Sequence, residues 1–434
     1  MGIILINIIS LLINRNRIGI CLLSSFLLGG EIFPLVNFVI VIILGRKSIK
    51  FHKPPITYIL LVFFIFTVSF INSLYFETTI NFAVYSLYLL MIVVSAVYCR
   101  GKVSEDDIVF CIKKFVAIQF VIVVIIALTN NTVVPGDVFI GSLENAHWFG
   151  NWVLVNIAAF YYINKCKYSL SCTDVVKKDW ELYIIALVEI YLADAKVLVV
   201  AMIAGIMLYK VSEKIFRQKN SYFYCFVVLF LFLFVFSVSF QSDYAVNLIN
   251  SIIPEYARYL YSSEFNGKIL YITGTFSNEL SDFRLFTGFG LGQYGSRVAN
   301  LFAYNQMWRA ENAINAFISS NFDPAYIKSY VQYIWYYDND FVKEIWWKSA
   351  ILSYPFNSIT ALIAETGIIG VIGVAKVIND VIKPSGCRFL AYYFMIACMF
   401  DIFFDNFPFV MLIIVMILNT CNSENYYKSE DDKR

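Results

Sequence analysis

From Ile18 to Asn419 the chain alternates between apolar runs of 13 to 21 residues and polar punctuation. A helix needs about 20 mostly apolar residues to cross a bilayer, and shorter runs fit half-buried hairpins. The pattern predicts twelve such helices: Ile18–Gly30, Ile32–Leu44, Pro55–Tyr75, Thr79–Tyr98, Ile108–Leu128, Phe149–Ile163, Trp180–Ala193, Val197–Lys210, Tyr222–Phe240, Ile359–Val377, Arg388–Phe404 and Phe407–Asn419. Met1–Asn14 is also apolar but runs into Arg15 and Arg17, as an interfacial lead-in or an uncleaved signal-like start would. One stretch breaks the rhythm. Gln241–Ser358 is too polar to span, yet rich in Tyr, Trp and short apolar runs, which predicts amphipathic helices lying on a membrane face. The expected fold is an all-α integral membrane protein of about twelve transmembrane helices with one long extracytoplasmic loop bearing amphipathic helices. Its parts are an N-terminal bundle of about nine helices (1–240), the loop (241–358), the C-terminal helices (359–420) and a tail (421–434).

Composition agrees with the pattern. Of 434 residues 60% are hydrophobic and 15% charged, and the mean hydropathy is +0.70. Soluble domains hold about 45–50% apolar residues, and their cores stop growing near 250–300 residues. A soluble enzyme and a disordered chain are therefore excluded. The 33 basic and 31 acidic residues nearly cancel, so no polyelectrolyte surface for nucleic acid is present.

Orientation follows from where the cations stand. Arg15/Arg17, Arg46/Lys47/Lys50/Lys53, Arg100/Lys102, Lys165/Lys167/Lys177/Lys178, Lys210/Lys214/Arg217/Lys219, Lys383/Arg388 and the 428–434 tail all fall on one predicted side, the cytoplasmic one. Both termini are then inside. Nine cations remain outside: Lys196, Arg258, Lys268, Arg284, Arg297, Arg309, Lys328, Lys343 and Lys348. No cysteine falls in an outside loop, so no disulfide framework is implied. No repeat relates the two halves of the chain, which speaks against a transporter.

Three local patterns sit on the outward side: Gly141–Gly150 (GSLENAHWFG), Arg284–Gly295 (RLFTGFGLGQYG) and Pro355–Gly370 (PFNSITALIAETGIIG). With this topology, the chain resembles the superfamily of O-antigen polymerases (Wzy-type) and O-antigen ligases over nearly its whole length. The family's glycine-dense turn matches Gly288, Gly290 and Gly292, and its loop pattern of arginine, ten residues, glycine matches Arg284 and Gly295. The third pattern is the more specific one. The family form is His, then Asn/Ser/Gln, nine residues, Gly, two residues, Gly. Here Phe356 stands at the His position, followed by Asn357, Gly367 and Gly370. The missing His favours a polymerase over a ligase and leaves the base unassigned. Where the family often shows Ser-Arg and Gly-Arg, this chain has Ala195-Lys196 and Gly267-Lys268; charge is kept, but a bidentate fork is lost.

The resemblance implies transfer of a glycan from an undecaprenyl-diphosphate carrier to a sugar hydroxyl of a second lipid-linked glycan, at the outer face of the bacterial cytoplasmic (inner) membrane. The expected partners are the lipid-linked donor and acceptor, membrane lipids and a chain-length regulator. Such chemistry needs positive charge or oriented N–H groups for the leaving diphosphate and a base for the hydroxyl. Lys196, Arg284, Lys268 and Arg258 are the candidate diphosphate ligands. Lys196 stands out because a charge between two apolar segments is costly without a task. Glu365, within the tenth span, and His147, on the outward side beside Trp148, are the candidate bases. The alternatives are a hydrogen-bonded structural Glu and a polar cap at the start of a span. Glu189, Asp194, Asp401 and Asp405 are further intramembrane carboxylates. Four of the seven Trp lie in the loop, where sugar stacking and an interfacial belt would both use them. The glycine turn resembles a phosphate cradle, but no P-loop Lys-Ser/Thr follows it, so ATP use is not expected. No His/Cys/carboxylate cluster suggests a metal, and no cofactor is expected. The rival of another class is a polysaccharide flippase, which would carry charges along several spans and short loops throughout.

Overall fold

The computed structural model describes residues 19, 22–23, 34–45, 56–75, 79–130, 135, 138–139, 141, 146–216, 220–229, 284–294, 358–382, 386–400 and 403–420. Of these, 87% are helical and none is in a strand. The helices are α1 (Pro34–Gly45), α2 (Ile56–Tyr75), α3 (Thr79–Cys99), α4 (Glu105–Asn130), α5 (Ala146–Tyr168), α6 (Cys172–Lys178), α7 (Trp180–Leu192), α8 (Lys196–Ile215), α9 (Ser358–Ile382), α10 (Phe389–Phe400) and α11 (Phe407–Asn419). Residues 221–229 are also helical. Four helices, α2, α3, α4 and α9, are long and apolar enough to cross a membrane. The chain is therefore a helical membrane protein. α10 and α11 are shorter apolar helices.

Polar residues set the boundaries. α4 opens on a reciprocal cap: the Asp107 amide donates to Ser104 Oγ (3.1 Å) and the Ser104 amide to Asp107 Oδ2 (3.0 Å). Asn406 caps α11 by accepting from the Phe409 amide at 3.2 Å, with Pro408 in the first turn, where its missing N–H costs nothing.

α2 and α3 pair antiparallel through Phe66, Phe70 and Phe82, whose ring centroids lie 5.7–6.0 Å apart. The end of the bundle where α2 stops and α3 starts is its upper end. Ion pairs gather at the lower end: Lys113–Asp179 (2.5 Å), Lys167–Asp106, Arg388–Glu213 (3.1 Å) and Lys376–Asp380 (3.4 Å). Between them Tyr392 Oη bonds Ser212 and Ser221, each at 2.9 Å, joining α8 and the 221–229 helix to α10. α2 leaves Ile59, Leu60, Phe63, Phe70 and Ile71 exposed, the all-round apolar character of a helix facing lipid. The core lies on the other side, where Trp152 and Phe409 pack at 4.6 Å and Tyr393 bonds Asn151.

Candidate functional site

Residues 284–294 sink between α2, α3 and α9. After one helical turn, Arg284–Thr287, the backbone alternates through glycines with φ of 70° (Gly288), 107° (Gly290) and 74° (Gly292). It touches α2 at Ser69, six residues before Tyr75 and so about 9 Å below the last residue of that helix. Irregular backbone at membrane depth is tolerated only when protein groups satisfy its peptides.

Here every amide from Gly288 to Tyr294 has an acceptor. Gly288 N–H donates to Arg284 O (2.7 Å), Phe289 N–H to Ala364 O (2.8 Å), Gly290 N–H to the Glu365 carbonyl (2.9 Å) and Gln293 N–H to Gly290 O (3.2 Å). Side chains take the rest: Leu291 N–H donates to Ser69 Oγ (3.1 Å), Gly292 N–H to Glu365 Oε2 (3.0 Å) and Tyr294 N–H to Glu365 Oε1 (3.2 Å). In return Asn72 Nδ2 donates to Gly288 O (3.3 Å) and Asn81 Nδ2 to Gly292 O (3.2 Å). A phosphate cradle needs amides that point at a ligand; these point at protein. The turn is a clasp, and any anion bound near it has to be met by side chains.

α9 supplies the other half of the clasp. Gly367 breaks it, with φ 64° and ψ −177°. A non-helical residue there interrupts the i to i+4 ladder for the carbonyls just before it, and Ala364 O and Glu365 O are the two that accept from the turn. The approach is close enough to demand glycine on both sides. A Cβ on Gly367 would collide with the Phe286 carbonyl and stand 2.6 Å from the Gly288 nitrogen, and one on Gly288 would stand 2.5 Å from the Glu365 carbonyl.

Glu365 is buried, and its two carboxylate oxygens each take one peptide N–H of the turn. That is the geometry of an anchor, the structural alternative weighed for it from sequence. Beyond the anchor runs a stack: Tyr294 lies on Phe289 (centroids 4.7 Å apart, planes 17°), and the Arg284 guanidinium carbon stands 4.8 Å above the Phe289 centroid. Arg284 itself is exposed.

The remaining candidates fall in two groups. Arg258, Lys268, Gly295, Asn357 and Asp401 lie outside the described residues. His147 and Lys196 begin α5 and α8, and the backbone brings these starts together. Gly150 of α5 packs against Ala195, one residue before Lys196, at the upper end. Asp194 shares that corner, with φ 51° in the left-handed region. Glu189, one turn lower in α7, is fully buried, and neither of its oxygens has a hydrogen-bond partner. Among the described residues no group of three or more His, Cys, Asp or Glu gathers as a metal set would.

Sequence reasoning passed over Ser69, Asn72 and Asn81, which complete the clasp. Their signal was small polar residues near the facing ends of two otherwise apolar spans. Compared with protein families, curated proteins and solved structures, the chain finds no match.

Proposed function

We infer that this protein is a polysaccharide repeat-unit polymerase, a membrane glycosyltransferase that moves a growing glycan from an undecaprenyl-diphosphate carrier to a sugar hydroxyl of a second lipid-linked unit. One observation carries the reading. The two sequence patterns on which the resemblance to O-antigen polymerases rests, the glycine turn and Ala364–Gly370, meet residue by residue in a single clasp. Patterns 73 residues apart that interlock through backbone contacts only glycine permits form one functional unit. In this reading about twelve spans carry the clasp, the upper end faces outward from the bacterial cytoplasmic membrane, and both termini are inside. The donor diphosphate is met by cations, with Arg284 at the rim of the clasp and Lys196 at the α7–α8 corner. His147, in the first turn of α5 at that same corner, serves in this reading as the base for the acceptor hydroxyl. That hydroxyl oxygen attacks the anomeric carbon, the bond to the diphosphate oxygen breaks, and the proton passes to the base.

Deleting the gene tests this directly. The expected result is surface lipid capped with a single repeat unit. Loss of all attached glycan would mean a ligase, repeat units held on the cytoplasmic leaflet would mean a flippase, and either would overturn the reading.

A further inference from the structure

Glu189 has no exposed surface, and neither of its carboxyl oxygens has a hydrogen-bond partner. Contacts on either side fix its level in the bundle. Gly150 packs on Ala193, and the Phe160 and Tyr183 rings lie 6.0 Å apart, so Glu189 runs alongside the stretch of α5 between Gly150 and Phe160. That stretch holds no ionisable residue; α5 carries His147 above it and Tyr161 below it. On α4, Lys113 pairs with Asp179 just before α7 and stands over the Phe160 ring, and from Phe115 to Asn130 that helix again holds nothing ionisable. The charges of α6 (Asp174, Lys177 and Lys178) come before α7 begins, and Glu189 is about 13 Å above Trp180 along the helix. Within α7, Glu181 lies two turns lower, and beyond the helix stand Asp194 and Lys196. A carboxylate so placed would have neither water nor a counter-charge, and keeping the proton avoids that cost.

The same residue holds the α7–α8 corner. Its backbone carbonyl accepts the Ala193 amide at 3.0 Å, and the next two amides, of Asp194 and Ala195, donate to Tyr191 O (3.1 Å) and Ile190 O (3.2 Å). Asp194 takes φ 51°, a left-handed conformation that costs a non-glycine residue energy. α5 is pressed so close that a Cβ on Gly150 would stand 2.4 Å from that of Ala195. Water reaches the carboxyl only when this packing gives way.

We propose that Glu189 is a proton-binding site that latches the α7–α8 corner, closed while the carboxyl carries its proton and open once the proton has passed to water. The O–H bond breaks, the electron pair stays on the carboxylate, and solvent takes the proton. The direction follows. Closed, Glu189 is the neutral acid; open and hydrated, it is an ordinary carboxyl that ionises above about pH 4.3. Above that pH each further unit raises the open population about tenfold, so the latch holds at low pH and loosens as pH rises. The latch stands whatever chemistry the protein performs. Only its meaning for catalysis, through Lys196 and His147 at the same corner, rests on the polymerase reading.

Amide hydrogen exchange of the full chain in phosphatidylcholine nanodiscs, from about pH 5 to about pH 8, provides the test. Exchange through a rapid opening equilibrium accelerates about tenfold per pH unit from hydroxide catalysis alone, and an opening that releases one proton adds a second factor of about ten. In the wild type, the amides of Ala193, Asp194 and Ala195 are therefore expected to accelerate about a hundredfold per unit. Glu189→Gln has no proton to release and should show about tenfold. Glu189→Leu should match it, and decides alone if Glu189→Gln does not fold. Equal slopes in the wild type and the variants overturn the proposal. So does a hundredfold slope throughout α10 and α11, because the proton would then belong to unfolding of the whole bundle. Infrared spectra at neutral pH should show a protonated-carboxyl band that Glu189→Gln lacks; a wild type without that band also overturns the proposal. None of these readouts uses polymer formation, so a chain that fails the deletion test and still shows the steep slope keeps its latch and loses only the glycan chemistry.

Discussion

Glu365→Ala removes two of the three side-chain acceptors of the turn and leaves Ser69 Oγ in place. Each is a hydrogen bond to a carboxylate, worth about 1.5–3 kcal/mol, so the pair contributes roughly 3–6 kcal/mol to docking of the turn. The backbone bonds of Phe289 to Ala364 and of Gly290 to the Glu365 carbonyl remain, so the substitution loosens the turn without dismantling α9. At about 1.4 kcal/mol per factor of ten, amide protection over 288–294 should fall by roughly two to four decades. Hydrogen exchange on peptic fragments of the protein in nanodiscs reads this out. Glu365→Gln keeps one carbonyl acceptor and sets an NH₂ against the other amide, so it should fall between wild type and Glu365→Ala. Unchanged exchange at 288–294 would refute the anchor. So would an equal rise throughout α10 and α11, which would mean that the bundle as a whole had opened.

Three further outcomes follow from the same structure. Gly367→Ala and Gly101→Ala both place an alanine at positive φ, near 64° and 68°, and at Gly367 the ψ of −177° adds a region of backbone space essentially confined to glycine, a cost on the order of 1–3 kcal/mol. Only Gly367 is crowded, while nothing stands within 4 Å at Gly101, so thermal unfolding should show a much larger loss for Gly367→Ala. Glu189→Leu removes a buried carboxyl with no hydrogen-bond partner and should stabilise the protein by about 1–3 kcal/mol in the same assay; a lower melting temperature would count against that. Cys172 is exposed, and a hydrogen bond from Tyr161 with the Lys165 charge holds its thiol below the usual range. Its thiolate therefore forms at lower pH, and its alkylation rate should rise at a lower pH than that of a free thiol near about 8.5. Lys165→Ala should move that rise upward.

Helix positions were legible because burial in lipid imposes length. Trp180–Ala193 is expected from sequence and α7 is Trp180–Leu192; Phe407–Asn419 coincides with α11. The break at Gly367 was not legible, since the residues around it read as one apolar run with a tolerated glycine. The last spans differ for a related reason. Arg388–Phe404 reads as one helix, but α10 ends at Phe400 and Phe403–Asp405 form a separate turn ahead of the Asn406 cap. In the site, hydropathy could mark Glu365 as costly and therefore purposeful. It could not say which groups its oxygens serve, because those groups are peptide amides 73 and 71 residues away, carrying no side-chain signature. Ser69, Asn72 and Asn81 escaped for the same reason: each is small and unremarkable until a backbone from far along the chain arrives beside it.

That arrangement imposes an order on biosynthesis. The turn leaves the ribosome long after Asn72 and Asn81, but 73 residues before the carboxylate that receives Gly292. Until α9 has been threaded into the bilayer, at least four amides, those of Phe289, Gly290, Gly292 and Tyr294, have no native acceptor and must stay hydrated. The clasp therefore closes late, only once Ala364 and Glu365 have reached the turn. A chain terminated before Glu365 would insert its first helices and never acquire the joint.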